Sequence, residues 1–194
     1  MVNAVLSKGK ILVAIFVIAI VAVIAVYVSQ KANSAKSGLN GNLTIGSYAP
    51  NYTFFFANNG TEANLSNYRG HEVLLWFVAT WCSGCAQGDE LLNSSYKEFN
   101  DHGVKVIELE LYRDLGYSGE SIGNFVQNFA PEAYQKNVVI PAYASYNMTL
   151  AYDHQGYLDI YYLISPNGKI LYENAPLEAT LPELLSEINK TGGI

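Results

Sequence analysis

An apolar segment with the sequence EVLLWFVAT, residues 72–80, leads directly into the two cysteines of this chain, Cys82 and Cys85. A continuous apolar run of this length, bounded by polar residues, is typical of a central β-strand that is covered on both faces. Helical spacing of apolar residues then begins at residue 83 and continues to 101. The cysteines therefore fall where a buried strand passes into a helix, which limits the chain to folds that contain such a junction.

Strand and helix patterns alternate along the rest of the chain. This alternation predicts a mixed α/β sheet with helices on both faces. The expected strands are 53–60, which ends in an Asn-Gly turn, 104–112, and 138–144, which Pro141 places near a sheet edge. A helix is expected at 119–130, a hairpin at 157–174, and a last helix that opens with a capping box at Thr180 and ends near 190.

The first part of the chain predicts a membrane anchor. Residues 11–28 are 18 consecutive apolar residues, close to the roughly 20 that span a bilayer core. A core helix would show polar residues at helical period, and a signal peptide usually has a shorter apolar region. We expect a cytoplasmic N-terminus at 1–10, a single-pass transmembrane anchor at 11–28, a flexible stalk at 29–43 and a folded domain at 44–190.

Seven Asn-x-Ser/Thr triplets follow the predicted anchor, and none precedes it. Such triplets are acceptors for N-glycosylation and lie at the surface of exported domains. Their distribution favours a cell-membrane protein whose C-terminal domain lies outside the cytoplasm. The candidate glycosylation sites are Asn42, Asn51, Asn59, Asn64, Asn93, Asn147 and Asn189.

Basic and acidic residues are distributed unequally along the chain. Residues 1–36 carry four Lys and no acid, whereas the remainder has 7 basic and 17 acidic residues. This balance argues against a nucleic-acid partner, because such a partner requires a basic face. It suits a soluble domain beside a membrane, or one that works in acid.

A cysteine pair of this spacing has three readings. A structural disulfide would close a very small loop and gain little stability, and a zinc site would need two further ligands, which the scattered histidines do not offer. In the redox reading, the N-terminus of the helix stabilises a thiolate at Cys82, whose sulfur lies near the surface. Cys85 faces inward and attacks the mixed disulfide that forms at Cys82. We expect a redox disulfide Cys82–Cys85, with no metal and no organic cofactor.

Three neighbours of the cysteines have expected supporting roles. Ser83 and Gly84 are small and leave room for the chain of a partner protein. Trp81 would shield one side of the pair, although ordinary core packing is the alternative for a tryptophan.

The segment LLWFVATWCSGC resembles the active-site strand and Trp-Cys-x-x-Cys motif of thioredoxin-fold proteins. Residues 46–77 resemble the N-terminal hairpin of the membrane-anchored TlpA/ResA-like subgroup, and 161–170 resemble its C-terminal hairpin. The resemblance implies a thioredoxin-like fold with an N-terminal hairpin extension. It also implies thiol–disulfide oxidoreductase activity on exported protein thiols or disulfides, together with a redox donor or acceptor protein. Members of the subgroup often serve cytochrome or copper-centre maturation.

Two departures from the family pattern stand close to the cysteines. Asp159 occupies the position of the family's cis-proline, so we expect a trans peptide bond there and altered peptide recognition. An ionised Asp159 would disfavour the Cys82 thiolate, or the acid could shuttle a proton to Cys85; alternatively, it simply points to solvent. Trp76 stands where thioredoxins carry a buried acid, so that proton acceptor is missing.

Two other functions remain open at this point. A peroxiredoxin-type peroxidase shares the fold, but the segment before Cys82 lacks the proline of the peroxiredoxin motif. A copper-binding chaperone, or a non-catalytic thioredoxin-like module in metalloprotein maturation, would use Cys82 and Cys85 as soft ligands.

Overall fold

The computed structural model describes residues 43–191 of the 194-residue chain. The predicted N-terminal segment and anchor, the stalk up to residue 42 and Asn42 lie outside the described residues. Within 43–191, none of the helices combines the length and the hydropathy that crossing a bilayer requires.

In the described part of the chain, seven strands form one mixed sheet in the order β2-β1-β5-β4-β3-β6-β7. The central strands β3, β4 and β5 pair in parallel, and β6, β7, β1 and β2 join them by antiparallel pairing. The predicted α/β class, the N-terminal hairpin (β1–β2) and the C-terminal hairpin (β6–β7) are confirmed. The strands are β1 (Thr53–Phe56), β2 (Glu62–Asn64), β3 (Val73–Val78), β4 (Lys105–Glu110), β5 (Val139–Ala144), β6 (Ile160–Ile164) and β7 (Ile170–Asn174).

Helices connect these strands and cover the sheet. Two short 3-10 segments, Leu65–Tyr68 and Tyr112–Gly116, complete the described elements. The α-helices are α1 (Ser83–Ser94), α2 (Tyr96–Asp101), α3 (Ile122–Phe129), α4 (Pro131–Gln135), α5 (Tyr146–Asp153) and α6 (Leu177–Thr191).

The side chains of β3 alternate between two cores, as the pleat of a strand requires. Leu74, Trp76 and Val78 face the core that α1, α3 and α6 cover. Leu75 and Phe77 face the opposite core, which α5 covers. Because both faces are covered, β3 is buried along its whole length. The strand that precedes the cysteines is therefore held rigidly from both sides.

Two boundary predictions were wrong for local reasons. The helix expected over 83–101 is divided at Ser95, whose φ of −110° and ψ of 13° interrupt the helical backbone between α1 and α2. The expected placement of Pro141 near a sheet edge was also wrong, because β5 lies between β1 and β4. The ladder with β1 ends at the Phe56–Ala142 pair, so the missing N–H of Pro141 faces the end of β1. Its carbonyl still accepts from Ala57 N–H at 3.0 Å.

One further expectation was wrong, and one helix was not predicted. The capping box at Thr180 does not form, because α6 already begins at Leu177, whose side chain is buried in line with Leu181 and Leu184. The Thr180 hydroxyl instead donates to the Pro176 carbonyl at 2.7 Å. Helix α5, whose N-cap Ser145 accepts from Met148 N–H, was not predicted.

Candidate active site

Cys82 and Cys85 are joined by a disulfide, with their Cα atoms 5.3 Å apart. Cys82 is the N-cap of α1, and its Sγ accepts a hydrogen bond from Cys85 N–H at 3.1 Å. The first turn of α1 contains no acidic residue, so the positive end of the helix dipole is not offset from within the helix. Cys82 is partly exposed, whereas Cys85 is 0 % exposed. The pair thus has one sulfur that solvent can reach and one that it cannot.

A clamp around Asp114 holds the two residues that precede Cys82. The buried Asp114 carboxylate accepts from Thr80 N–H at 2.9 Å and from the Thr80 hydroxyl at 2.7 Å. The Asp114 carbonyl accepts from the Trp81 indole N–H at 2.9 Å. Arg113, Asp114 and Leu115 all have φ between 51° and 59°, a left-handed conformation that costs roughly 1–2 kcal/mol per residue. The clamp compensates this cost by satisfying the buried polar groups beside the cysteines.

Trp81 is 39 % exposed, so it is not an ordinary core tryptophan. Its ring lies 4.9 Å from that of Tyr117, which is 68 % exposed. The hydrogen bond to Asp114 and this ring contact fix an apolar surface next to Cys82.

Asp159 is 2 % exposed, which contradicts the reading in which it points to solvent. The peptide bond before it is trans, and its φ is 70°. Its Oδ1 accepts from the Trp76 indole N–H at 2.5 Å, and its backbone N–H donates to the Phe77 carbonyl at 3.1 Å. The acid at the family's cis-proline position is therefore anchored to the strand that leads into the cysteines.

The Asp159 carboxyl also contacts the carboxyl of Glu178, in the first turn of α6. This pair lies against Gly84. A Cβ placed on Gly84 would lie 3.1 Å from Glu178 Oε1 and 3.9 Å from Asp159 Oδ2. Burial, and then the contact with Glu178, raise the pKa of Asp159 to about 8, although hydrogen bonds from the Trp76 indole and the Leu177 backbone N–H act in the opposite direction. Because Gly84 has no side chain, it leaves room for both carboxyls beside the cysteine loop.

A second pair of acids lies deeper in the same core. Asp89, one helical turn after Cys85 in α1, and Glu108, at the centre of β4, are both 0 % exposed and contact each other. Burial raises the pKa of both carboxyls well above the usual range, and for Glu108 the charge of Asp89 adds to this effect. Glu108 is paired with Trp76 in the β3–β4 ladder, and the Trp76 indole also donates to Asp159, so Trp76 adjoins both acid pairs.

The structure therefore brings Trp81, Cys82, Gly84, Cys85 and Asp159 together, while Ser83 is exposed at the start of α1. Sequence reasoning missed several residues of this site. Asp89 could have been found from the sequence, because it follows Cys85 by one helical turn and lies on the same face of the helix. Glu178 could not, because nothing in its neighbouring sequence links it to the cysteines. The missed residues are Thr80, Asp89, Glu108, Asp114, Tyr117 and Glu178.

Six of the seven predicted glycosylation sites lie in the described part of the chain. Four of these asparagines are exposed and two are half-buried. The half-buried Asn93 accepts from the backbone N–H groups of Glu132 and Ala133 at the start of α4, so its side chain has a structural use. The exposed sites are Asn51, Asn59, Asn147 and Asn189, and the other half-buried site is Asn64.

Among residues 43–191, no group of three or more His, Cys, Asp or Glu side chains is arranged to hold a metal ion. The site as described consists of a disulfide, two carboxyl pairs and an aromatic surface.

Known proteins resemble this chain in sequence. The chain is 29 % identical over 126 residues to the thiol-disulfide oxidoreductase ResA of Bacillus subtilis (strain 168), which covers 65 % of this chain and 64 % of that protein. The chain thus matches less than two thirds of that relative's length.

Solved structures share the fold. The thioredoxin domain of a thiol-disulfide oxidoreductase from Bacteroides vulgatus superposes with a TM-score of 0.52 at 20 % identity, over 74 % of this chain and 99 % of that one. Arabidopsis thaliana ScoI with copper bound superposes with a TM-score of 0.53 at 15 % identity, over 74 % and 99 %. Residues 44–188, which include every element of the site, match the Redoxin family. With its thioredoxin-like fold and its similarity to ResA, the chain belongs to the Redoxin family.

Proposed function

We propose that this chain is a membrane-anchored thiol–disulfide oxidoreductase that acts outside the cytoplasm on the thiols or disulfides of exported proteins. The observation that carries the proposal is the asymmetry of the pair, in which Cys82 is partly exposed at a helix N-terminus and Cys85 is buried behind it. The similarity to ResA supports the activity. The apolar segment 11–28 and the triplets that follow it support the anchor and the location.

The asymmetry assigns a role to each sulfur. A thiolate of the partner attacks Sγ of Cys82, the S–S bond between Cys82 and Cys85 breaks, and Cys85 leaves with the electron pair of that bond. A second thiolate of the partner then attacks the partner sulfur that is bonded to Cys82, and Cys82 leaves as a thiolate. The partner has lost two electrons and the cysteine pair has gained them. The reverse sequence reduces a partner disulfide, and the relative reduction potentials decide the net direction.

The neighbours of Cys82 have matching roles. The N-terminus of α1 and the Cys85 N–H stabilise a Cys82 thiolate. The surface of Trp81 and Tyr117 contacts the apolar side chains that flank the cysteine of the partner. The trans bond before Asp159 and its buried carboxyl give a peptide-binding loop that differs from the family's cis-proline loop.

The test is trapping by the full-length chain in its native membrane. The Cys85→Ser variant should accumulate covalent complexes, because the mixed disulfide at Cys82 can no longer be resolved. These complexes should be visible on a non-reducing gel and absent when reducing agent is added. Cys82→Ser should accumulate none, and Ser83→Ala, which keeps both thiols, should resemble the unmodified chain. Equal trapping by both cysteine variants contradicts the assigned roles. Protease protection of the domain in sealed vesicles tests its location.

A copper-binding chaperone remains the second candidate, and its support is the fold shared with ScoI, whose structure holds copper. Cys82 and Cys85 would supply two soft thiolate ligands. Titration of the reduced full chain with Cu(I) distinguishes the two candidates. A copper carrier binds the ion tightly and does not reduce insulin disulfides, whereas an oxidoreductase turns over insulin.

A further inference from the structure

The carboxyl pair of Asp159 and Glu178 lies against the loop that the disulfide closes. We propose that this pair supplies the proton that Cys85 takes up when the disulfide opens, and that it receives the proton back when the disulfide closes. The inference rests on the thiol–disulfide exchange proposed above. It adds two proton-transfer residues to the two cysteines.

The first argument is proximity. Gly84 is bonded to Cys85, and a Cβ on Gly84 would lie 3.1 Å from Glu178 Oε1 and 3.9 Å from Asp159 Oδ2. Both carboxyls therefore lie beside the backbone of the cysteine loop. The Trp76 indole, which donates to Asp159 Oδ1 at 2.5 Å, prevents the acid from turning away.

The second argument concerns the proton itself. Asp159 Oδ2 and Glu178 Oε2 are buried, and within residues 43–191 neither atom accepts a hydrogen bond of ordinary geometry. The Leu177 backbone N–H lies close enough to the Asp159 carboxyl to lower its pKa, but burial and the contact with Glu178 outweigh this effect. Two ionised carboxylates in contact repel each other, whereas a single shared proton turns the contact into a hydrogen bond. The pair therefore holds one proton at neutral pH, next to the disulfide.

The third argument is the need of Cys85 for a proton. When a partner thiolate attacks Cys82, the Cys85 sulfur leaves as a thiolate inside the protein, where its exposure is 0 %. Burial without a counter-charge disfavours a thiolate. Transfer of the shared proton to Sγ of Cys85 produces a neutral thiol and leaves the pair with both carboxylates ionised. Glu178 is only half-buried, so the pair can then regain a proton from water.

The groups that face Asp159 fit this exchange. They are Trp76 from β3, Glu108 from β4, Tyr161 from β6 and Glu178 from α6. Asp89 from α1 faces Glu108. Every charged group among them is an acid, so no cation traps the pair in its ionised form. The pKa of Asp159, about 8, is close to the ordinary thiol value of about 8.5, and proton transfer between groups of matched pKa is efficient.

The experiment measures how fast dithiothreitol opens the disulfide of the oxidised full chain at a series of pH values. The change in the fluorescence of the two tryptophans reports the opening, and each rate is divided by the concentration of dithiothreitol thiolate. In the unmodified chain this normalised rate should fall as pH rises through about 8, where the pair loses its proton. In Asp159→Asn it should be lower by roughly 10²-fold below that pH and should show no fall, because the proton donor is absent.

Two further variants complete the design. In Glu178→Gln the amide donates to Asp159 and stabilises its ionised form, so the fall should move to lower pH. Glu183→Gln, an exposed change on the same helix, should follow the unmodified chain. Circular dichroism verifies that each variant is folded. If Asp159→Asn does not fold, the pH profile of Glu178→Gln alone tests the proposal.

The outcomes separate this inference from the proposed function, because dithiothreitol replaces the protein partner. A profile of Asp159→Asn or Glu178→Gln that matches the unmodified chain overturns the proton-transfer role, even if Cys85→Ser traps partners. A shifted profile supports the role even if trapping fails.

Discussion

The Trp76 indole N–H donates to Asp159 Oδ1 at 2.5 Å, and both side chains are buried although they lie 83 residues apart in the chain. Trp76 is central in β3, and Asp159 ends the loop that leads into β6. Because β3 and β6 are antiparallel neighbours, this bond ties the cysteine-bearing strand to the loop opposite it. It also gives the acid a donor, so Asp159 can stay buried beside the disulfide.

Trp76→Phe should therefore destabilise the domain. The change leaves Asp159 Oδ1 without its indole donor, and an unsatisfied buried acceptor costs about 1–3 kcal/mol. The loss also raises the pKa of Asp159 further, since this hydrogen bond lowers it. Urea denaturation measures the free energy of unfolding. Trp81→Phe is the matched control and should cost less, about 0.5–1.5 kcal/mol, because Trp81 is partly exposed; an equal or larger cost for Trp81→Phe contradicts the prediction.

Two helical glycines should respond oppositely to alanine. A Cβ on Gly88 would lie 2.8 Å from Cζ2 of the buried Trp76 ring, so Gly88→Ala should cost about 1–3 kcal/mol through overpacking. A Cβ on Gly123 would meet only Ala57, at an ordinary 3.7 Å. Gly123→Ala should therefore be neutral or stabilise by up to about 1 kcal/mol. Thermal unfolding of both variants checks this, and a stable Gly88→Ala protein would show that the ring can shift.

The side-chain hydrogen bonds of Asp114 should matter more for stability than the strain of its backbone. Asp114→Gly relieves the positive φ but removes two hydrogen bonds to Thr80, so it should lower the free energy of unfolding by about 1–3 kcal/mol. Arg113→Gly relieves the same strain at an exposed residue and should be neutral or stabilising by up to about 1 kcal/mol. Urea denaturation of the two variants separates the contributions. A similar effect of both would mean that the strained turn, not the clamp, controls stability here.

The domain should be more stable in mild acid than at alkaline pH. Among residues 43–191, burial is the main cause that raises the pKa of six carboxyls. The pKa is raised to about 8 for Asp159, to about 7 for Glu110 and Asp153, well above normal for Asp89 and Glu108, and above normal for Glu72. A raised folded-state pKa means that the folded protein binds more protons than the unfolded chain. The free energy of unfolding should therefore be highest below the unfolded pKa, about 4, and fall as pH rises through these values.

Glu108→Gln tests this pH dependence. The variant removes one buried ionisable group, so the decline of the unfolding free energy with pH should become shallower by up to about 1.4 kcal/mol per pH unit. Glu90→Gln, an exposed change on α1, should leave the slope unchanged. Urea denaturation at several pH values provides the slopes. An unchanged slope for Glu108→Gln would mean that this acid does not keep its proton in the folded state.

Local patterns were sufficient for the parts of the fold that depend on near neighbours. The apolar run before Cys82 predicts β3, and the change to helical spacing after it predicts α1, because each pattern reflects burial along one element. The β6–β7 hairpin follows from its turn residues in the same way. The prediction failed at Pro141, since an exposed edge and the end of a neighbouring strand tolerate a missing N–H equally well.

The acids around the disulfide depended on the tertiary structure. Glu108 belongs to an alternating segment that looks half-exposed, yet α1 covers that face of β4 and buries it. Asp159 and Glu178 meet Gly84 only because β6 and α6 pack beside α1. The amino-acid sequence by itself determined the strand, the helix and the cysteine pair at their junction, which are set by residues a few positions apart. Only the packing of distant elements decided which carboxyls lose water and share a proton, because the pKa of a group depends on its neighbours in space.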